Sequence, residues 1–159
     1  MKKNWLSPAK AIMLGTAFAG ALLLTSCDKE NDTPVNNKYT ISGSASSGQV
    51  VPAFTGTGTG TITGTYDKQT NVLNYNVGWT GLTDTASTVA LYSGASGAIG
   101  TSVQNLTVST QGTAGTSTGT LTITEEQETD LLGGNWYYSV GTLANVGGEI
   151  RGQITATKQ

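Results

Sequence analysis

Residues 55–66 read TGTGTGTITGTY, and this alternation constrains the fold more than any other feature of the chain. Thr57, Thr59, Thr61, Thr63 and Thr65 fall two apart, so in an extended strand they share one face. In a helix they would scatter, and the interleaved glycines would weaken it. Residues 116–124, TSTGTLTIT, repeat the device with Thr116, Thr118, Thr120, Thr122 and Thr124. From Tyr39 onward Gly, Thr, Ser and Val dominate and helix formers are scarce. The periodicity predicts strands near Lys38–Gly43, Thr57–Tyr66, Val72–Trp79, Thr88–Tyr92, Val103–Val108, Thr116–Thr124, Trp136–Gly141 and Glu149–Thr157. Short strands joined mostly by short turns predict an all-β fold, an antiparallel two-sheet sandwich over residues 39–157. Tyr66 to Asn71 reads as a hairpin turn, with Asp67 and Asn71 able to hydrogen-bond their own backbone. Leu73, Tyr75, Val77 and Trp79 should face the core, and Asn74 and Asn76 the other side.

One short helix interrupts this pattern. Thr124-Glu125-Glu126-Gln127 fits a capping box, with Thr at the N-cap and Gln three residues on. Leu131 and Leu132 follow, then Gly133-Gly134 to stop it. The acidic cluster Glu125, Glu126 and Glu128 suits the positive end of a helix dipole. Read instead as a calcium site, it would need oxygens converging from several segments.

The first part of the chain has a different character. Lys2, Lys3 and Lys10 precede an apolar run from Ala11 to Leu24, the length of a secretory signal core and too short for a stable span. The run ends in Leu24-Thr25-Ser26-Cys27, which resembles a bacterial lipobox. Residues 1–26 are therefore expected to be a lipoprotein signal peptide, and Cys27 to carry a diacylglycerol and an acylated (palmitate-type) amino terminus. Each buried CH₂ adds roughly 0.8 kcal/mol of membrane affinity, so two or three chains hold a domain firmly. Residues 27–38 then form a polar, flexible tether. As the only cysteine, Cys27 has no internal disulfide partner.

From Cys27 onward the chain has five basic and ten acidic residues, a formal net charge of −5. With no basic patch, nucleic acid is excluded as an expected partner. There is no histidine in the sequence.

Residues 147–154, GGEIRGQI, hold Arg151, the chain's single arginine. In a strand, Glu149 and Arg151 share a face and Ile150 points to the core. The expected arrangement is a structural ion pair, or a network in which the guanidinium forks to a carboxylate or to loop carbonyls. Such a contact would fix the register of the last strand and clamp a loop. The functional alternative is an anion-binding anchor. Breaking a partly buried pair costs about 3–5 kcal/mol, an exposed one under about 1.

With these residues in view, the span from Tyr39 to Ile154 resembles the CHRD domain, the chordin-type repeat, in a bacterial lipoprotein setting. GGEIRGQI is similar to the family's closing signature. Val51-Pro52, Tyr66-Asp67, Asn71 to Tyr75, Gly81-Leu82 and LLGGNWYY at 131–138 match elsewhere. The resemblance implies an immunoglobulin-like or superoxide-dismutase-like Greek-key sandwich, and fold of this kind does not dictate function. Many members carry a His-x-His pair and a third His. Leu91, Ser93 and Gly141 stand at those positions here, and none can bind zinc or copper through nitrogen or thiolate.

Further features remain open. The threonine rows, if their strands pair, make a flat face. It reads as a solvated β-surface, as a carbohydrate or matrix contact, or as an ice-binding face. Asp84-Thr85-Ala86 resembles a bacterial O-glycosylation acceptor, with Thr85 the modified residue. Trp79, Trp136, Tyr137 and Tyr138 could line a sugar platform, but Trp79 and at least one of the 136–138 run should be core. No histidine base, free thiol or carboxylate pair composes a catalytic set. The expectation is a lipid-anchored binding or structural module of the cell envelope, an outer-membrane lipoprotein, not an enzyme, with no cofactor or metal. Its expected partners are the membrane, through the anchor, and an envelope protein or glycan. An envelope enzyme acting on glycans or oxidants, or an accessory subunit of a surface complex, is the alternative.

Overall fold

The computed structural model describes residues 36–159. The expected signal peptide 1–26, Cys27 and tether residues up to 35 lie outside them. Nine strands and one helix are built as the alternation demands. They are β1 (Lys38–Ser46), β2 (Thr59–Asp67), β3 (Val72–Thr80), β4 (Ala86–Ser93), β5 (Thr101–Asn105), β6 (Gly115–Thr122), α1 (Glu125–Leu132), β7 (Trp136–Thr142), β8 (Ile150–Gln153) and β9 (Thr155–Lys158). A single 3₁₀ turn, Ser47–Gln49, follows β1.

All neighbouring strands run antiparallel, in the order β5-β4-β7-β8-β1-β2-β3-β6, with β9 paired to β1. The expected division into two separate sheets is not what forms: the path is continuous and curls into a half-barrel. The join is made by the last segment. β8 follows β7 from Tyr137↔Gln153 to Val140↔Ile150 and meets β1 at Ser46↔Arg151. The chain breaks register at Ile154, and β9 then pairs with β1 from Ser42↔Thr155 to Tyr39↔Lys158. What reads in sequence as one strand, Glu149–Thr157, is two strands that bridge what would otherwise be a gap.

The concave side holds the core. Ile41, Ile62, Leu73, Val77, Leu91 and Ile150 are fully buried there with Tyr66, Trp136 and Tyr138. Burying an aliphatic side chain of this size contributes about 1.5–3 kcal/mol. Trp79 is also core, as expected, and its indole N–H donates to the Gly112 carbonyl at 3.2 Å. Asn71, at φ 58°, closes the β2–β3 hairpin, and the Gln69 N–H donates to Asp67 at 2.9 Å.

Helix α1 carries the expected capping box. Thr124 Oγ1 accepts from Gln127 N at 3.2 Å, and Gln127 Oε1 accepts from Thr124 N at 2.9 Å. Leu131 plugs it into the core. Gly134, at φ 72°, lets the chain reverse into β7.

Strand β7 is buried at every position. Trp136, Tyr138 and Val140 face the core. On the other side, the β4–β5 loop and the 143–148 turn cover Tyr137, Ser139 and Gly141. This second, loop-covered face positions the candidate site.

Candidate functional site

The site is built on the side of β8 that faces away from the core. Glu149, Arg151 and Gln153 alternate with Ile150 and Gly152, so the three polar side chains emerge together beneath the loops. Glu149 and Arg151 are almost entirely buried. They do not pair with each other, which corrects the expected Glu149–Arg151 ion pair. Glu149 accepts from the Thr83 backbone N–H, from Thr83 Oγ1 at 2.9 Å and from Thr142 Oγ1 at 3.1 Å. Arg151 donates to the carbonyls of Ala98 at 2.6 Å and Ala95 at 2.9 Å. The reason is position along the strand. Residues two apart stand roughly 6.6–6.8 Å apart, enough to place each beneath a different loop with nearer partners. The loop clamp expected of the guanidinium is formed, through carbonyls.

Arg151 also lies over the Tyr137 ring, its guanidinium carbon 3.5 Å from the centroid. Tyr137 stacks on Tyr92, centroids 5.0 Å apart and planes within 8°. The Tyr137 hydroxyl accepts from Gly100 N at 3.1 Å. Gln153 extends the clamp, its amide donating to the Gly94 and Gly134 carbonyls at 3.0 and 2.9 Å. One end of this ladder is open. A cleft of about 320 Å³ lies against Arg151, walled by Tyr92, Tyr137, Val50, Val51 and Ile99, with Gly147 at its rim.

A second buried charge was not foreseen from the sequence. Glu128, on the inward face of α1, accepts from the Tyr66 hydroxyl and the Lys68 ammonium. Lys68–Glu128 is the ion pair found among the described residues. Burial works to raise the Glu128 pKa, but hydrogen bonds from Lys68 and Tyr66 outweigh it and hold the carboxyl below its ordinary value. The same contact raises Lys68, and burial with the nearby carboxylate raises Tyr66. No local signal marks Glu128: only the placement of α1 beside the β2–β3 hairpin brings Tyr66 and Lys68 to this carboxylate. Of the acidic cluster, Glu125 and Glu126 remain exposed. Among the described residues no three His, Cys, Asp or Glu side chains converge.

The family assignment rests on the whole of this scaffold. The CHRD domain matches residues 41–154, from the core isoleucine of β1 to the break between β8 and β9. The chain belongs to the CHRD domain family. Neither a curated protein nor a solved structure matches it. Within the CHRD domain, the closing GGEIRGQI segment contains β8, the strand that joins the two halves of the sheet path, and carries both buried charges of the site. Leu91 and Ser93 face the core side of β4, where Leu91 is fully buried and Ser93 donates to Asp130 at 2.7 Å. Gly141 faces the opposite side, where an added Cβ would meet Thr88 and the Asn145 and Val146 carbonyls. These three positions therefore do not converge in this CHRD domain.

The threonine rows of the CHRD domain are on its outer surface, but their strands do not pair directly. β3 lies between β2 and β6, and β1 and β9 extend the face. The registers align Thr157, Thr40, Thr65, Asn74 and Thr120 in one row across five strands. Thr155, Ser42, Thr63, Asn76 and Thr118 form the next. All of these residues are exposed and none is charged. Where Gly78 leaves a notch, a shallow depression of about 460 Å³ is lined by Ser44, Thr59, Thr61 and Thr80. Thr85 is exposed in the β3–β4 turn, its N–H held by Asp84 at 2.6 Å.

Proposed function

We propose that this protein is a lipid-anchored, non-catalytic binding module of the cell envelope, held in the outer membrane through Cys27, that presents its hydroxyl face to a neutral glycan. Membership of the CHRD family fits a binding module. The observation that carries the ligand class is the pair of exposed, uncharged rows across β9, β1, β2, β3 and β6. Strands about 4.7–4.9 Å apart, with side chains every second residue, set out hydroxyls and amides as a regular grid. Neutral donors and acceptors so arranged match a polymer rich in hydroxyls and offer nothing to an anionic backbone. The lipid at Cys27 would hold the module at the membrane.

Affinity electrophoresis tests the reading. Full-length protein in detergent should be retarded in gels containing a neutral soluble polysaccharide. The double substitution Thr63→Glu/Thr118→Glu, on exposed strand positions, should abolish retardation and leave the fold intact. No retardation across a panel of neutral polysaccharides sinks the glycan assignment. Retardation accompanied by shortening of the polymer would make the protein a glycan-acting enzyme instead. The anchor is tested separately: Cys27→Ala should lose fatty-acid labelling and leave the membrane fraction.

A further inference from the structure

We propose that the cleft beside Arg151 is a binding site for a small organic carboxylate. It lies on the loop-covered side of β4, β7 and β8, away from the hydroxyl face, and goes beyond the glycan reading.

Arg151 has a solvent exposure of 4%. A buried guanidinium normally meets a carboxylate, because desolvating the charge is costly and dipoles offset it only in part. Here no carboxylate of the described residues reaches it. Glu149, two residues away, is committed to Thr83 and Thr142. Arg151 spends one N–H on the Ala98 carbonyl and one on the Ala95 carbonyl, and the rest of its donors meet no protein acceptor among the described residues. The cation is thus held in a fixed orientation by its loop and by the Tyr137 ring, with an unmet demand for negative charge. Arg151 lines the 320 Å³ cleft together with Tyr137, the ring its guanidinium covers. That volume lies in the range of small-ligand sites, which are mostly apolar with a few fixed polar groups.

The walls select among anions. Val50, Val51, Ile99 and the faces of Tyr92 and Tyr137 are apolar. Ile99 is 75% exposed, unusual for so large an aliphatic side chain. A carboxylate on a short apolar body would meet the guanidinium with its oxygens and the walls with its carbon chain. Sulfate, with no apolar body to set against these side chains, would lose hydration there without that compensation.

Isothermal titration of the full chain in detergent tests this, with butyrate and inorganic sulfate as probes. Butyrate should bind saturably at one site, and sulfate roughly tenfold or more weakly. Two variants leave Arg151 in place. At Gly147 an added Cβ meets nothing within 4 Å, so Gly147→Phe can fill the rim without a backbone clash. Ile99→Asp puts a like charge at the mouth on an exposed residue. Each should stay folded by circular dichroism and weaken butyrate by roughly tenfold or more. No saturable butyrate binding to the wild type overturns the proposal. So does unchanged affinity in Gly147→Phe, or sulfate binding as tightly as butyrate. None of these results bears on retardation by neutral polysaccharide, which reads the other face.

Discussion

The guanidinium carbon of Arg151 stands 3.5 Å from the centre of the Tyr137 ring, and the same ring stacks on Tyr92. A cation, two aromatic rings and two loop carbonyls thus form one connected unit on the covered side of the sheet. Arg151→Lys tests it, because an ammonium keeps the charge but cannot fork or lie flat on the ring. Stability should fall by about 2 kcal/mol in urea denaturation, with the m-value unchanged.

Glu149 and Arg151 should behave as separate devices. Glu149→Ala strips the acceptor from one backbone N–H and two hydroxyls in a buried position, and should cost about 2–4 kcal/mol. In a double-mutant cycle with Arg151→Lys the coupling energy should stay under about 0.5 kcal/mol. A coupling of several kcal/mol would reinstate a direct pair.

Gly148 adopts φ 119°, and an added Cβ would collide with Ser139 Oγ. Gly148→Ala should cost about 1–3 kcal/mol from the backbone alone and more from the collision. Adding Ser139→Gly should restore only the part due to the collision. Thermal melts of the single and double variants separate the two.

The Glu128 carboxyl is depressed in the folded state, so it contributes stability above its ordinary pKa of 4.5, and this is lost as pH falls through the folded value. Lys68 is raised, so its contribution is full below its ordinary 10.5 and is lost as pH rises through the folded value. The melting temperature should therefore be level at neutral pH and fall on the acid side below about pH 4.5. Glu128→Gln should be less stable at pH 7 and show a shallower acid decline.

Thr124→Ala removes the side chain that caps α1 and should cost about 1 kcal/mol. Thr124→Ser, which keeps the acceptor, should cost much less. Chemical denaturation distinguishes them.

The strands were legible because alternation is local. The alternating runs Val72–Trp79 and Trp136–Gly141 lie within a residue of β3 and β7, and the capping box marks the start of α1. The expected strand Val103–Val108 ended early because Leu106 turns into the core and its N–H bonds the Val89 carbonyl at 2.8 Å. What alternation cannot encode is which distant loop covers a face. Glu149 and Arg151 share one face as the alternation requires, yet Thr83, Ala95 and Ala98, which hold them, lie 53 to 66 residues away in sequence. In sequence Glu128 reads as a helix-dipole residue, because nothing local distinguishes it from Glu125 and Glu126. Only the packing of α1 against the hairpin turns it inward to Tyr66 and Lys68.

Strand β8 sits in the middle of the sheet path, yet every other strand on that path precedes it in the chain. A polypeptide supplied from its N-terminal end would hold two open ribbons, β1-β2-β3-β6 and β5-β4-β7, until residues 150–153 arrived to zip them together. Deleting just those residues would bare the inner edge of β7 and leave β1 covered only by β9, inviting cross-chain association. Closure therefore waits for the segment that follows all the other strands of the path, and passage through a narrow pore would find the chain still unlatched.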